Sequence, residues 1–128
     1  MSVIGVGMDV ADTRRFDRLV RRGPGGLWAH WYTEAEVREC LAHDQPATAA
    51  ATRFAVKEAS YKALGARFAH EVRWRDIEVL EREAAWRVVL HGEMGVAAAA
   101  VGLAWLHVST CRTGGRVVAT VIAETGPD

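Results

Sequence analysis

The sequence predicts a single α+β domain over residues 1–128, with an antiparallel sheet packed against a long central helix. Three observations lead there. Segments of period-two hydrophobicity stand at both ends of the chain, and those of the second half come in pairs joined by polar or glycine turns, as antiparallel hairpins require. Between them, Arg53 to Gly65, RFAVKEASYKALG, places apolar residues at nearly every azimuth of a helix, so that helix is mostly buried. Finally, 128 residues, half of them apolar, are enough for one hydrophobic core.

Taken in order, residues 3 to 10, VIGVGMDV, alternate as a strand. Ile4, Val6, Met8 and Val10 form its apolar face; Gly5, Gly7 and Asp9 form a nearly empty one. Glycine inside a strand weakens it and marks close approach of a ligand or of another backbone. The segment DTRRFDRLVRR then predicts a helix with Asp12 or Thr13 as its N-cap, stopped at Gly23-Pro24-Gly25-Gly26. Trp28, Trp31 and Tyr32 read as core or subunit interface. Thr33-Glu34-Ala35-Glu36 fits a capping box opening a helix to about Ala42. Pro46 suits the first turn of the central helix, and Gly65 its C-terminal cap. After a loop over Ala66 to Arg75, Ile77 to Leu80 and Trp86 to Leu90 predict a hairpin across Glu81-Arg82-Glu83-Ala84. Gly92 to Gly102 predicts an alanine-rich helix, and Trp105 to Cys111 with Val117 to Glu124 a second hairpin turning at Gly114-Gly115.

Composition narrows the function classes. Net charge is zero and charged residues make up 25% of the chain, which favours neither a nucleic-acid binder nor a disordered tail. The charge is uneven, however: residues 13–22 carry five arginines against one aspartate, a surface suited to an acidic helix or to phosphates. Cys40 and Cys111 form no metal-binding spacing, and a reduced, cytoplasmic setting is the expectation. No signal peptide is expected, because Asp9 and Asp12 interrupt the N-terminal apolar run. The run Met94 to Leu106 is too short to span a bilayer.

Chemistry concentrates on the central helix. Glu58 and Lys62 are four residues apart and share a face whose neighbouring turns carry only Ala51 and Ala55. On an ordinary amphipathic helix this pair is worth a few tenths of a kcal/mol and nothing more. On a helix apolar all round, charges persist only when paired or bound to a ligand. With Asp9 the set becomes two carboxylates and a lysine, a combination that suits a hard cation and a phosphate.

Four segments in order, IGVGMDV, RFAVKEASYKALG, WRDIEVL and HVST, resemble the holo-acyl carrier protein synthase group of phosphopantetheinyl transferases. The resemblance covers nearly the whole chain and implies the 4'-phosphopantetheinyl transferase-like fold. It implies an enzyme that moves the phosphopantetheine arm of coenzyme A onto a serine of an apo acyl carrier protein, with magnesium, releasing adenosine 3',5'-bisphosphate. The metal ligands it implies are Asp9 and Glu58. Lys62 would meet the pyrophosphate, and Glu58 or a water beside the metal would act as base. Lys62, Gly65, Arg53, Ser109, Arg112 and His107 are the implied coenzyme A-binding set. Arg14, Arg18, Arg21 and Arg22 are the implied docking residues for the carrier's acidic helix, the carrier serving fatty acid or polyketide synthesis. A homotrimer with its active sites between subunits is also implied.

One departure stands out. Where that group reads HVSxSH, this chain reads His107-Val108-Ser109-Thr110-Cys111-Arg112, so Cys-Arg replaces Ser-His. In related transferases that pair helps to hold the 3'-phosphate of coenzyme A; arginine retains a cation there, permanently protonated and able to bind phosphate bidentately. Two other readings stay open at this level. One is a non-catalytic carrier- or nucleotide-binding homologue, against which the joint presence of Asp9, Glu58 and Lys62 argues. The other is a structural oligomer in which Glu58 and Lys62 form only an intersubunit salt bridge.

Overall fold

The computed structural model describes residues 1–23, 25–65 and 71–127. Residues 66–70, half of the loop expected over Ala66 to Arg75, therefore lie outside the described residues. Strand β1 (Val3–Asp12) leads through a 3-10 turn (Thr13–Phe16) into the short helices α1 (Asp17–Arg22) and α2 (Leu27–Trp31). Helices α3 (Glu34–Ala42) and α4 (Pro46–Leu64) follow, and a 3-10 turn (Trp74–Asp76) opens the hairpin β2 (Ile77–Arg82) and β3 (Ala85–Leu90). Helix α5 (Gly92–Ala100) precedes the closing hairpin β4 (Leu103–Thr113) and β5 (Arg116–Thr125).

The strands form two antiparallel sheets, one ordered β1-β5-β4 and one made of β2 and β3. A single sheet was the simpler expectation. Strand β5 is central in the larger sheet because it pairs with both the first strand and its own hairpin partner. Val117, Ala119, Val121 and Ala123 of β5 face α4 and are fully buried.

Local signals shape the elements as expected. Thr33 caps α3 and exchanges hydrogen bonds with Glu36 in a capping box. Pro46 occupies the first turn of α4, and Gly65, with φ of 66°, caps its end in a conformation that favours glycine. Asp12 is the N-cap after β1, although the turn it opens is 3-10 before it becomes α-helical. Helix α2 was not anticipated: it is only five residues long and opens at Gly26 without a side-chain cap, although Trp28, Trp31 and Tyr32 do fall at i, i+3 and i+4. Trp28 and Tyr32 nonetheless lie in the core, where the Trp28 indole donates to the Leu19 carbonyl and the Tyr32 hydroxyl to the Ala50 carbonyl. Both cysteines are free, Cys40 buried and Cys111 exposed.

The position of β1 on α4 organises the molecule. A Cβ at Gly5 would overlap the Ala63 carbonyl oxygen, and one at Gly7 the Ala59 carbonyl oxygen. The nearly empty face of β1 thus exists to admit backbone, here that of α4, and the two elements lie closer than any side chain would permit. The apolar face turns the other way. Val6, Met8 and Val10 are each more than half exposed in the isolated chain.

Candidate active site

From Ala49 to Ser60 every residue of α4 is buried except Glu58, and one turn later Lys62 is exposed. This is the opening in an otherwise enclosed helix. Gly5 and Gly7 hold β1 against the same helix, so Asp9, two residues further along the same face, arrives beside both charges. Lys62 Nζ donates to Asp9 Oδ1 at 3.0 Å and to the Met8 carbonyl at 3.0 Å. Glu58 stands close enough to Asp9 to feel its negative charge. Partial burial, and then the negative charge of Asp9, push the Glu58 carboxyl above its ordinary pKa, while Lys62 and Arg15 draw it back.

Two carboxylates held side by side disfavour each other's ionisation, and a divalent cation relieves that repulsion. Among the described residues no group of three or more His, Cys, Asp or Glu is placed to hold a metal. Asp9 and Glu58 by themselves would supply only part of a cation's coordination. The pair fits an ion of the magnesium type, which is bound through one or two carboxylates and fills its other positions with water and phosphate oxygens.

Lys57, adjacent to Glu58 in sequence, does something different. It is fully buried, and its Nζ donates to Glu36 Oε1 at 2.8 Å and to the carbonyls of Trp74 and Ile77. Glu36 is equally buried and also accepts the Thr33 and Val79 amides. Sequence reasoning took Glu36 for a capping residue and assigned Lys57 no task. The available signal was a lysine inside an all-apolar helix, which must find a buried counter-ion.

The implied nucleotide-binding residues divide. Arg53 is buried; its guanidinium donates to Glu39 Oε1 at 2.8 Å and to the Ala49 carbonyl at 3.1 Å, and it stacks on Trp86. Its Nε has no hydrogen-bond partner among the described residues. Arg53 and Arg112 line a common pocket of about 230 Å³ with Thr48, Thr52 and Trp86. Strand register places the others elsewhere. Asp9 pairs with Ala119 and Ala119 with Thr110, whereas Met8, Thr120 and Ser109 form the next row, and Val6, Ile122 and His107 another. Ser109 and His107 consequently project from the sheet face opposite Asp9, and one chain does not bring them to the carboxylates. His107 lies 3.2 Å from Glu124 Oε1 on that outer face. Gly65 acts here as the α4 cap, its amide donating to the carbonyls of Lys62 and Tyr61.

The arginines also separate. Arg14 folds back on Asp12, donating to its carboxylate at 2.9 Å, and these hydrogen bonds hold the Asp12 pKa at about 2. Arg15, Arg18 and Arg22 line a groove of about 340 Å³ with Leu19, Trp28 and Trp31. Arg15 is also near enough to Glu58 to lower its pKa. It was not among the expected docking residues, although the spacing 15, 18, 22 is that of one helix face. Arg21 is exposed and does not line this groove.

Residues 5–118 match the family model of the 4'-phosphopantetheinyl transferase superfamily. The chain belongs to that superfamily. A holo-[acyl-carrier-protein] synthase of Cutibacterium acnes is 37% identical over 125 residues, covering 95% of this chain and 98% of the relative. The crystal structure of a holo-[acyl-carrier-protein] synthase from Neisseria meningitidis superposes with a TM-score of 0.83 at 24% identity, covering 97% of this chain and all of that one. A Helicobacter pylori synthase crystallised with coenzyme A superposes with a TM-score of 0.75 at 22% identity, over 93% of this chain and 99% of the other. The α+β fold of this phosphopantetheinyl transferase is therefore that of the synthase structures, and the protein is an enzyme of that class.

Proposed function

We propose that the protein transfers 4'-phosphopantetheine from coenzyme A to a serine of an apo acyl carrier protein, with magnesium held by Asp9 and Glu58. The observation that carries this is the convergence of Asp9, Glu58 and Lys62 where the buried stretch of α4 opens. The coenzyme A complex of the Helicobacter pylori relative supports the donor. When bound, magnesium would supply charge neutralisation at the pyrophosphate.

In this reading the carrier serine oxygen attacks the phosphorus next to the pantetheine arm. Its proton passes to a base, the bond to the other phosphate breaks, and adenosine 3',5'-bisphosphate leaves. Glu58 fits the role of base, directly or through a water beside the metal, because its carboxylate stands half-buried at the site beside Asp9 and Lys62. Lys62 is more than half exposed and reaches Asp9 from the solvent side, so it can follow the phosphate charge as it develops. Arg53 and Arg112 supply cations for the 3'-phosphate, with Arg112 in place of the family histidine.

The carrier's acidic helix meets Arg18 and Arg22 in the α1 groove, with Arg15 between that groove and Glu58, and Arg14 and Arg21 at the rim. A homotrimer accounts for the outer sheet face, where exposed Val6, Met8, Val10 and Ile122 lie beside His107 and Ser109. Joining a second copy at this face would bury apolar surface and place those two residues in an intersubunit site. A cytoplasmic setting agrees with two free cysteines, and no helix among the described residues is long and apolar enough to cross a membrane.

The experiment is incubation with coenzyme A, magnesium and a panel of apo carriers from fatty acid and polyketide synthesis, followed by intact mass spectrometry. The expected result is a magnesium-dependent phosphopantetheine adduct on at least one carrier. No adduct on any carrier, or adduct formation indifferent to chelation, overturns the reading.

A further inference from the structure

Gln45 stands at the N-cap of α4, a position where Ser, Thr, Asp or Asn normally turns a side-chain oxygen onto the helix amides. Its side chain makes no capping hydrogen bond. Its Oε1 instead accepts from Arg112 Nη1 at 2.9 Å, across the gap between α4 and the closing hairpin. The same oxygen accepts from Thr48 Oγ1 at 3.3 Å, and the Gln45 backbone N–H donates to His43 Nδ1 at 3.0 Å. Thr48 thus steadies the side-chain oxygen, and His43 the backbone beneath it, while the glutamine holds the arginine.

Arg112 belongs to a strand end just before the Gly114-Gly115 turn, and it is exposed. A long side chain in that setting loses rotamer freedom when it binds an anion, and prior fixation reduces that loss. A guanidinium carries five N–H donors, and Gln45 engages one of them through a neutral acceptor, so the charge of Arg112 stays available. Arg53 lines the same pocket, its guanidinium largely buried. Arg53 is already paired with Glu39 and Glu81 is a lining carboxylate, so Arg112 is the lining arginine whose charge no carboxylate contacts among the described residues.

We propose that Gln45 is a positioning residue that holds Arg112 towards the pocket shared with Arg53, and so sets the preference for a nucleotide carrying a 3'-phosphate over one lacking it. This rests on the reading of Arg112 as a ligand of that phosphate. Gln45 itself touches no substrate.

The test compares coenzyme A with 3'-dephospho-coenzyme A in steady-state transfer to one apo carrier, using the full chain. Wild type, Gln45→Met, Arg112→Ala and the double variant are measured. Methionine keeps the length of glutamine without its acceptor, and Gln45→Ala serves as a second probe of the same contact. The expected result in Gln45→Met is a preference about threefold to tenfold smaller than wild type, arising from a raised KM for coenzyme A. Its kcat, and its KM for the dephospho substrate, should not move. In the Arg112→Ala background the Gln45 substitution should add nothing. If Arg112→Ala erases the preference but both Gln45 variants retain or increase it, Gln45 does not position the arginine. If Arg112→Ala itself leaves the preference intact, the phosphate reading of Arg112 fails, and the role of Gln45 falls with it.

Discussion

Lys57 and Glu58 are consecutive residues of one helix with opposite charges, and their surroundings could hardly differ more. All three Lys57 donors are used, on Glu36 and on two backbone carbonyls, in a place solvent does not reach. Burial pushes the Lys57 pKa down and that of Glu36 up, and their contact offsets part of both shifts. Glu58 is half-buried, stands beside another carboxylate, and among the described residues has Lys62 and Arg15 as nearby cations. One charge is saturated by protein and joins α3, α4 and β2. The other is left with electrostatic demand that protein does not meet, which is what a site for a cation and a phosphate requires.

The largest effect should come from the closed pair. Lys57→Met leaves Glu36 buried without its cation and should cost about 3–5 kcal/mol of stability, read from urea unfolding. The double variant Glu36→Gln, Lys57→Met should recover a large part of that loss, because the stranded charge is gone. A single variant within about 1 kcal/mol of wild type would mean that Lys57 is not saturated as described.

At the open site the order of effects reverses. Asp9→Asn and Glu58→Gln should each lower transfer by about a hundredfold or more while the melting temperature holds, since each removes a charge and keeps the shape. Near-normal turnover in either variant would remove that residue from the metal site.

A smaller effect separates the two adjacent arginines. Arg15→Glu should raise KM for the carrier by roughly tenfold and weaken its association further as salt rises, with KM for coenzyme A unchanged. Arg14→Glu should do less, because Asp12 already holds that guanidinium. Equal effects from the two reversals would show that the groove lined by Arg15, Arg18 and Arg22 does not define the docking surface.

The smallest effect concerns Glu58 and pH in the absence of divalent cations. Its folded pKa lies above the ordinary glutamate value of 4.5, so between the two values the native state holds the proton more firmly than the unfolded chain. Stability contributed by this group is therefore lost as pH rises through that window. Glu58→Gln should match wild type near pH 4 and exceed it at pH 7, by less than about 1 kcal/mol for a half-exposed group. Thermal melts in chelator across that range measure it, and a variant less stable than wild type at pH 7 would contradict the sign.

The sequence by itself determined what short-range chemistry controls. The capping box at Thr33 and Glu36, the start of α4 at Pro46, its end at Gly65 and the turn at Gly114-Gly115 depend on hydrogen bonds and backbone angles within a few residues, and each stands where it was expected. The burial of α4 was legible because its apolar residues surround the helix. Asp9, Glu58 and Lys62 were legible as a set because charges in an apolar helix and a glycine-faced strand are both anomalies, and their family pattern is ordered along the chain. Tertiary structure alone decided the rest. Which of Lys57 and Glu58 would be sealed depended on Glu36, 21 residues away from Lys57. Which backbone would fill the glycine face of β1 depended on α4, and which arginine would face the site depended on how the 3-10 turn after β1 lies against α4. His107 and Ser109 lie next to Arg112 in sequence, yet strand alternation sends them to the opposite face. Such choices are made by contacts between distant segments, and no local propensity encodes them.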